Sequence, residues 1–149
     1  MIIGPTASGK TRLGVQIALR FFGEIISVDS RQVYKGMDIG TGKDIKEYGQ
    51  VPYHLIDIIE PSETYNLNRF RNDAIAAISD VSGRGKVPVL VGGSPLYIDS
   101  LLSQYSLPGR GPDQNMRANF ANMTNIELAG ILGKKLGGDE LNNRNRLLR

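Results

Sequence analysis

Apolar and polar positions along this 149-residue chain follow two different periods. Four short runs are apolar almost without interruption: Met1–Ile3, Glu24–Val28 ("EIISV"), His54–Ile59 ("HLIDII") and Val87–Val91 ("VPVLV"). β-Branched residues dominate them, and their lengths and flanking turn residues predict strands. Between them the period lengthens. In "KTRLGVQIALRFF" the residues Leu13, Ile17, Ala18 and Phe21 recur at helical steps, which predicts a helix buried on that face. In "LNRFRNDAIAAISDVSG" the residues Leu67, Phe70, Ala74, Ile78 and Val81 predict a second such helix. Near-continuous apolar strands alternating with helices predict an α/β fold of three layers, its parallel central sheet covered on both faces. Ligands of such sheets bind outside the carboxyl ends of the strands. The loops delivered there are "GPTASGKT", "DSRQVY", "EPSETY" and "GGSPLY".

After about Gln104 the pattern changes. "SLPGRGPDQN" is a loop by composition. Thr124 and Glu127 have capping-box spacing, and Ile126, Leu128, Ile131, Leu132 and Leu136 predict a helix behind them. "GGDELNNRNRLLR" reads as a turn with a basic end. Two parts are therefore expected: an α/β core over 1–103, and the start of a helical region over 104–149. The pattern at Arg149 reads as one that continues, and Met1–Ile3 is short for a first strand. The chain is expected to be part of a longer protein.

Charge sharpens that division. Residues 1–103 carry 11 basic and 11 acidic side chains, whereas 104–149 carry 7 and 4, which accounts for the whole net charge of +3. A basic end suits a polyanionic partner, or is an ordinary solvated surface. Apolar content of 40% with 22% charged residues describes a globular chain. The absence of cysteine excludes disulfides and thiolate metal sites and permits a reducing compartment. No apolar run approaches the roughly 18 residues of a membrane span, and no secretory leader precedes the first motif. A cytoplasmic protein that does not engage a membrane is expected.

That first motif is "GPTASGKT": Gly4, Pro5, Thr6, Ala7, Ser8, Gly9, Lys10 and Thr11. It matches G-x-x-x-x-G-K-[ST] between a predicted strand and a predicted helix, the context of a phosphate-binding loop. Gly4 and Gly9 allow the backbone to curl its N–H groups around an anion, and the following helix adds its positive end. Lys10 supplies a point charge to outer phosphate oxygens, and the Thr11 hydroxyl can ligate Mg²⁺. A nucleoside triphosphate and another phosphorylated ligand are both compatible with it.

Other candidates are weaker singly. Asp29, at the end of the second strand, can ligate Mg²⁺ through water, cap a turn or act as a base. Tyr34 suits the core or a stacking surface. "GTGK" (40–43) echoes a phosphate loop but lacks the four-residue spacer. The single histidine, His54, opens an apolar run and reads as structural. One histidine without cysteine cannot build a zinc site or a Cys/His pair. Gly92-Gly93-Ser94 either brings backbone and a hydroxyl to a ligand or makes a tight strand-to-helix turn.

Together, "GPTASGKT", "ISVDSRQVYKGMDIGTGK", "HLIDIIEPSETYN", "RGKVPVLVGGSPLYI" and "NRNRLLR" resemble the tRNA dimethylallyltransferase (tRNA isopentenyltransferase) family, in order and over nearly the whole chain. The resemblance implies transfer of a dimethylallyl group from dimethylallyl diphosphate to N6 of the adenosine beside the tRNA anticodon. It assigns Thr6 to Thr11 to the donor diphosphate, with Mg²⁺ on Thr11. Asp29 resembles the family's general base, with Ser30, Arg31 and Gln32 beside it against the tRNA. Ser94 stands where the family usually has threonine, and Gly42 where it usually has alanine. Pro95 departs from a usual glycine or small residue. Arg117 resembles an arginine that contacts tRNA, and Asn145, Arg146, Leu147, Leu148 and Arg149 resemble the start of a basic tRNA-contacting helix. Family members are about twice this length, and a monomer is expected. A phosphate-loop kinase of a small metabolite, a prenyltransferase of free adenine nucleotides and an inactive truncated nucleotide-binding module remain open as alternatives.

Overall fold

The predicted strands assemble into one parallel sheet. The computed structural model describes residues 1–43, 45–103 and 113–136. Strands β1 (Ile2–Ile3), β2 (Gly23–Val28), β3 (Tyr53–His54) and β4 (Val87–Gly92) lie in the order β1-β4-β2-β3, and every pairing is parallel. β2 and β4 form the centre, in register from Gly23 opposite Val87 to Val28 opposite Gly92.

Side chains alternate along β2 between two cores, as the pleat demands. Ile25 packs with Val89, Val91 and Ala18 on one face; Ile26 and Val28 pack with Leu90, Phe70, Ala74, Tyr97 and Ile98 on the other. The first face is covered by α1 (Lys10–Arg20), the second by α4 (Leu67–Gly83) and α5 (Pro95–Leu102). The result is the expected α/β arrangement of helices on both faces of a parallel sheet. Two single-turn helices, α2 (Asp38–Thr41) and α3 (Ile45–Tyr48), lie between β2 and β3. Among the described residues no helix is long and apolar enough to cross a membrane.

Two details differ from the apolar pattern. α1 buries Gly14 and Ala18, with Val15 and Ile17 partly covered, whereas Leu13 and Phe21 are exposed. The helix lies so close to the sheet that a Cβ on Gly14 would come within 2.6 Å of Val91 Cγ2. Ala18 and, in part, Ile17 match the apolar pattern, whereas Gly14 is buried because it is small, a signal that apolar counting overlooks. The third run also fails to extend to Ile59. It leaves the ladder after His54, because Leu55 (φ 64°) and Asp57 (φ 54°) adopt left-handed backbone incompatible with a strand. Leu55, Ile56 and Ile59 are nevertheless buried, and Ile59 returns to bridge Tyr34. The run is apolar because it lies in the core as an irregular segment.

The amino ends of the strands hold a charged cluster. Glu24, buried in β2, accepts hydrogen bonds from both Arg84 terminal nitrogens (2.5 and 2.8 Å), from Lys86 Nζ (2.7 Å) and from His54 Nε2 (2.7 Å). Asp80 completes it through Arg84 at 2.7 Å. His54 thus has the structural role its position suggested.

The chain divides into two compact units, residues 1–107 and 108–149. The described part of the second contains α6 (Gln114–Ala121) and α7 (Asn125–Leu136). Asp113 caps α6 by accepting the Met116 N–H at 3.0 Å, so the Pro/Gly-rich loop composition gives way to helix at Gln114. The capping box before α7 is formed: Thr124 N–H donates to Glu127 Oε2 at 2.8 Å, and Glu127 N–H donates to Thr124 Oγ1 at 3.4 Å.

Candidate active site

The carboxyl ends of β1, β2 and β4 deliver three loops to one cavity of about 600 Å³. Thr6 to Thr11 form one side of its lining, Asp29, Arg31 and Gln32 come from the loop after β2, and Gly92, Gly93 and Ser94 follow β4. The segment Ile39–Gly42, with Glu47 and Tyr48, completes it.

The phosphate-type loop is curled by two left-handed residues, Ala7 (φ 61°) and Gly9 (φ 78°). Gly9 is the expected one. Ala7 makes the same turn with a Cβ, a conformation that costs a non-glycine residue about 1–2 kcal/mol. Lys10 and Thr11 occupy the first turn of α1, where helix N–H groups lack intrahelical partners. Lys10 Nζ donates to Pro5 O and lies 3.5 Å from Ser8 Oγ, so the ammonium stays over the loop. Among the described residues the Thr11 hydroxyl has no hydrogen-bond partner and borders the cavity.

Asp29 stands at the end of β2. Its Oδ1 accepts the Arg31 N–H at 2.9 Å, an Asx-type turn, and lies 3.8 Å from Arg31 Nε. Its Oδ2 takes no hydrogen bond among the described residues. Turn capping therefore occupies one oxygen and leaves the other beside the cavity. The neighbouring β4 loop is tied to it: Ser30 N–H donates to Ser94 Oγ at 3.0 Å, and Ser94 N–H donates to Val28 O at 3.3 Å. That approach requires glycine before Ser94, since a Cβ on Gly92 would lie 2.1 Å from Val28 O. The turn reading of Gly92-Gly93-Ser94 thus holds, and the same three residues border the cavity. Pro95 sits at the start of α5, where its fixed φ suits a first helical turn.

The remaining candidates fall into different environments. Ser30 and Arg31 are exposed. Gln32 is buried, and its amide is used at both ends: Oε1 accepts from Ser27 Oγ at 2.8 Å and Nε2 donates to Gly42 O at 3.1 Å. Tyr34 packs half-buried against the α4/α5 core. Burial, with Tyr34 and Asp29 nearby, pushes the Tyr97 phenol above its ordinary range. Arg117 is exposed on α6, in the second unit. Asn145, Arg146, Leu147, Leu148 and Arg149 lie outside the described residues. "GTGK" is no second phosphate loop: Lys43 is buried and faces carboxylates. Sequence reasoning passed over the Ile39–Gly42 wall, for which "GTGK" was the only signal.

Two residues bearing hard oxygen donors, Thr11 and Asp29, border the cavity. This donor set fits Mg²⁺, which keeps waters and takes few protein ligands. Among the described residues no cluster of three or more acidic, His or Cys side chains competes for a metal.

Comparison with known proteins gives a consistent outcome. The IPP transferase family model matches residues 32–144, and the isopentenyl transferase model matches residues 1–50. The chain is 51% identical over 133 residues to tRNA dimethylallyltransferase 1 of Geotalea daltonii, covering 89% of this chain and 43% of that protein. It is 49% identical over 153 residues to tRNA dimethylallyltransferase 2 of Citrifermentans bemidjiense, covering 100% and 50%. Among solved structures, the tRNA isopentenylpyrophosphate transferase of Bacillus halodurans superposes with a TM-score of 0.70 at 40% identity, over 94% of this chain and 48% of that one. A eukaryotic dimethylallyltransferase captured acting on tRNA gives 0.78 at 32% identity, over 89% and 34%. The chain spans about half, or less, of the length of these relatives.

Proposed function

The chain belongs to the IPP transferase family, and from that premise we propose that it is the donor-binding part of an enzyme that prenylates tRNA. The reaction moves a dimethylallyl group from dimethylallyl diphosphate to N6 of the adenosine beside the anticodon. One observation carries the reading: the phosphate loop, Asp29 and Ser94 open onto a single cavity. A phosphate loop alone would serve any nucleotide. A carboxylate with an open oxygen at the same cavity adds a proton acceptor for an incoming nucleophile.

The geometry supports the following division of labour. The N–H groups of Thr6 to Thr11 and the Lys10 ammonium bind the diphosphate. The N6 lone pair forms a bond to C1 of the allyl group as the C1–O bond breaks, and the diphosphate leaves with that electron pair. The N6 proton passes to Asp29, whose open Oδ2 can accept it. Loop donors that hold the departing charge supply much of the rate. Mg²⁺, held by the Thr11 hydroxyl and diphosphate oxygens, would neutralise part of that charge. Ser94 fixes the Asp29 turn through Ser30.

The adenine must leave its stack to reach such a site. Exposed Ser30 and Arg31 are suited to the RNA, and buried Gln32 ties the same loop to Ser27 and to Gly42 of the cavity wall. Arg117 and the 145–149 segment are assigned to the RNA backbone, in keeping with the positive balance after residue 103. In this reading residues 1–103 carry the donor site and 104–149 begin the tRNA-contacting region. A cysteine-free chain suits the reducing cytoplasm, where the protein is taken to act as a monomer.

Calorimetric titration of this chain with dimethylallyl diphosphate and with ATP, Mg²⁺ present, tests the reading. Dimethylallyl diphosphate should bind about tenfold more tightly or better, a difference of roughly 1.4 kcal/mol. A preference for ATP would transfer the site to the kinase reading.

A further inference from the structure

Lys43 is a buried cation that the reaction above does not use. Its side chain is 1% exposed, and it does not line the cavity. Its ammonium donates to Tyr34 O at 2.6 Å, to Asp38 Oδ1 at 2.9 Å and to Asp57 Oδ1. Lysine has three N–H donors, so these acceptors exhaust it. They come from three segments: the loop after β2, the start of α2 and the left-handed turn after β3. Burial works to lower the Lys43 pKa, but the bonds to Asp57 and Asp38 outweigh it and hold the group above its ordinary value. The cation therefore persists across the neutral range.

Regular structure joins these segments only in part. β3 contributes only two residues to the ladder. Beyond it, Asp57 N–H donates to Gln32 O (3.0 Å), Ile58 N–H to Val33 O (2.9 Å) and Lys35 N–H to Ile59 O (2.9 Å). Gln32 Nε2 then reaches Gly42 O. Lys43 anchors the chain immediately after the Ile39–Gly42 wall, and Asp38 lies immediately before that wall. One ammonium thus fixes both ends of a cavity wall to the loop that carries Asp29.

We propose that Lys43 is a positioning residue for the donor site, clipping the Ile39–Gly42 wall to the Asp29–Tyr34 loop through Tyr34, Asp38 and Asp57 and so setting the shape of the cavity. The inference rests on the reading of that cavity as a prenyl-diphosphate site. The phosphate loop is held separately, by β1, α1 and the β4 loop. Loss of the clip should therefore spare anion binding and weaken only a ligand large enough to reach the wall.

The test compares inorganic pyrophosphate with dimethylallyl diphosphate in the wild-type chain, in Lys43→Met and in Lys43→Arg, each well below its melting temperature. Lys43→Met/Asp57→Asn, which removes the Lys43 charge together with that of its less exposed carboxylate partner, serves if Lys43→Met does not fold. The expected result is pyrophosphate affinity within about twofold of wild type, with dimethylallyl diphosphate weakened about tenfold or more and partly restored in Lys43→Arg. Unchanged affinity for both ligands, with only a lower melting temperature, overturns the proposal and leaves Lys43 a stabilising residue. Equal weakening of both ligands overturns it as well. Hydrogen exchange at the Lys35, Asp57 and Ile58 amides gives an independent reading, expected to quicken about tenfold in Lys43→Met while β2 and β4 stay protected. If the wild-type chain does not prefer dimethylallyl diphosphate to pyrophosphate, the functional reading fails and exchange alone decides: unchanged protection then refutes the clip.

Discussion

Two carboxylates borne by one strand and the loop it feeds meet opposite fates. Glu24 lies near the amino end of β2 and Asp29 follows its carboxyl end. Glu24 is buried and accepts hydrogen bonds from Arg84, Lys86 and His54. Arg84 above all, with Lys86 and His54, holds its carboxyl well below the usual range against the opposing effect of burial. Asp29 accepts one backbone N–H and has one guanidinium at 3.8 Å. A carboxylate whose lone pairs are committed to cations is held as an anion and has no capacity for a proton. One with an open oxygen at a cavity can take a proton from a ligand. In the proposed reading, the amino edge of the sheet carries charge for stability and the carboxyl edge carries charge for chemistry.

The largest expected effect that could break this contrast is on Asp29. Asp29→Asn keeps the Asx-type acceptor and the size but loses proton affinity. In the complete protein, single-turnover prenyl transfer should fall about 10²–10⁴-fold, the scale of a general base. Donor and tRNA affinities should change much less, because the base acts chiefly in the transition state. If donor affinity falls in parallel and added Mg²⁺ restores it, Asp29 acts through the metal instead. Near-normal turnover would leave Asp29 as a turn cap only.

Glu24→Gln is the reciprocal change. It should leave donor affinity untouched and lower stability by about 1–3 kcal/mol, the cost of unsatisfied charged partners that are themselves partly solvated. The pH dependence has a definite sign. The folded pKa lies below the unfolded value near 4.3, so Glu24 contributes its full stability above that value and loses it as pH falls toward and through the folded one. The gap in melting temperature between wild type and Glu24→Gln should be constant from about pH 5 to 8 and shrink below about pH 4. A gap that widens in acid would refute the structural reading of this cluster.

Much of the cavity lining at the carboxyl edge was legible in the sequence, and the clamps were not. "GPTASGKT" specifies its own backbone, and the end of an apolar run fixes where Asp29 emerges. The Thr124–Glu127 box was readable because its partners are three residues apart. Glu24 bonds to Arg84 and Lys86 across 60 and 62 residues, and no local pattern connects them. A glutamate inside "EIISV" looks like an interruption of a strand until its partners are in view. Lys43 was noticed for a loop motif, whereas its role comes from Asp57, a residue whose left-handed backbone ends the strand that apolar counting had extended to Ile59. The buried face of α1 was legible only in part: Ala18 is buried as its period suggests, but Leu13 and Phe21 are exposed and Gly14 is buried because it is small.

Ser94 sharpens the comparison by the smallest margin. Its Oγ accepts the Ser30 N–H, so in the proposed reading it would act on Asp29 through the residue that follows it. Ser94→Ala removes the acceptor and leaves that N–H to water, which an exposed Ser30 can admit. A neutral hydrogen bond replaced this way is worth about 0.5–1.5 kcal/mol, so prenyl transfer should fall roughly 2–12-fold. Ser94→Thr keeps the oxygen and should restore the rate, in keeping with the threonine usual at this position in the resembling family. A cycle with Asp29→Asn distinguishes positioning from direct contact. If Ser94 works by orienting Asp29, its truncation should cost little once the carboxylate is gone. If Ser94 instead touches the donor, the loss should persist in the Asn background and appear equally in dimethylallyl diphosphate affinity. That second outcome would move Ser94 from the support of the Asp29 turn into the donor site itself.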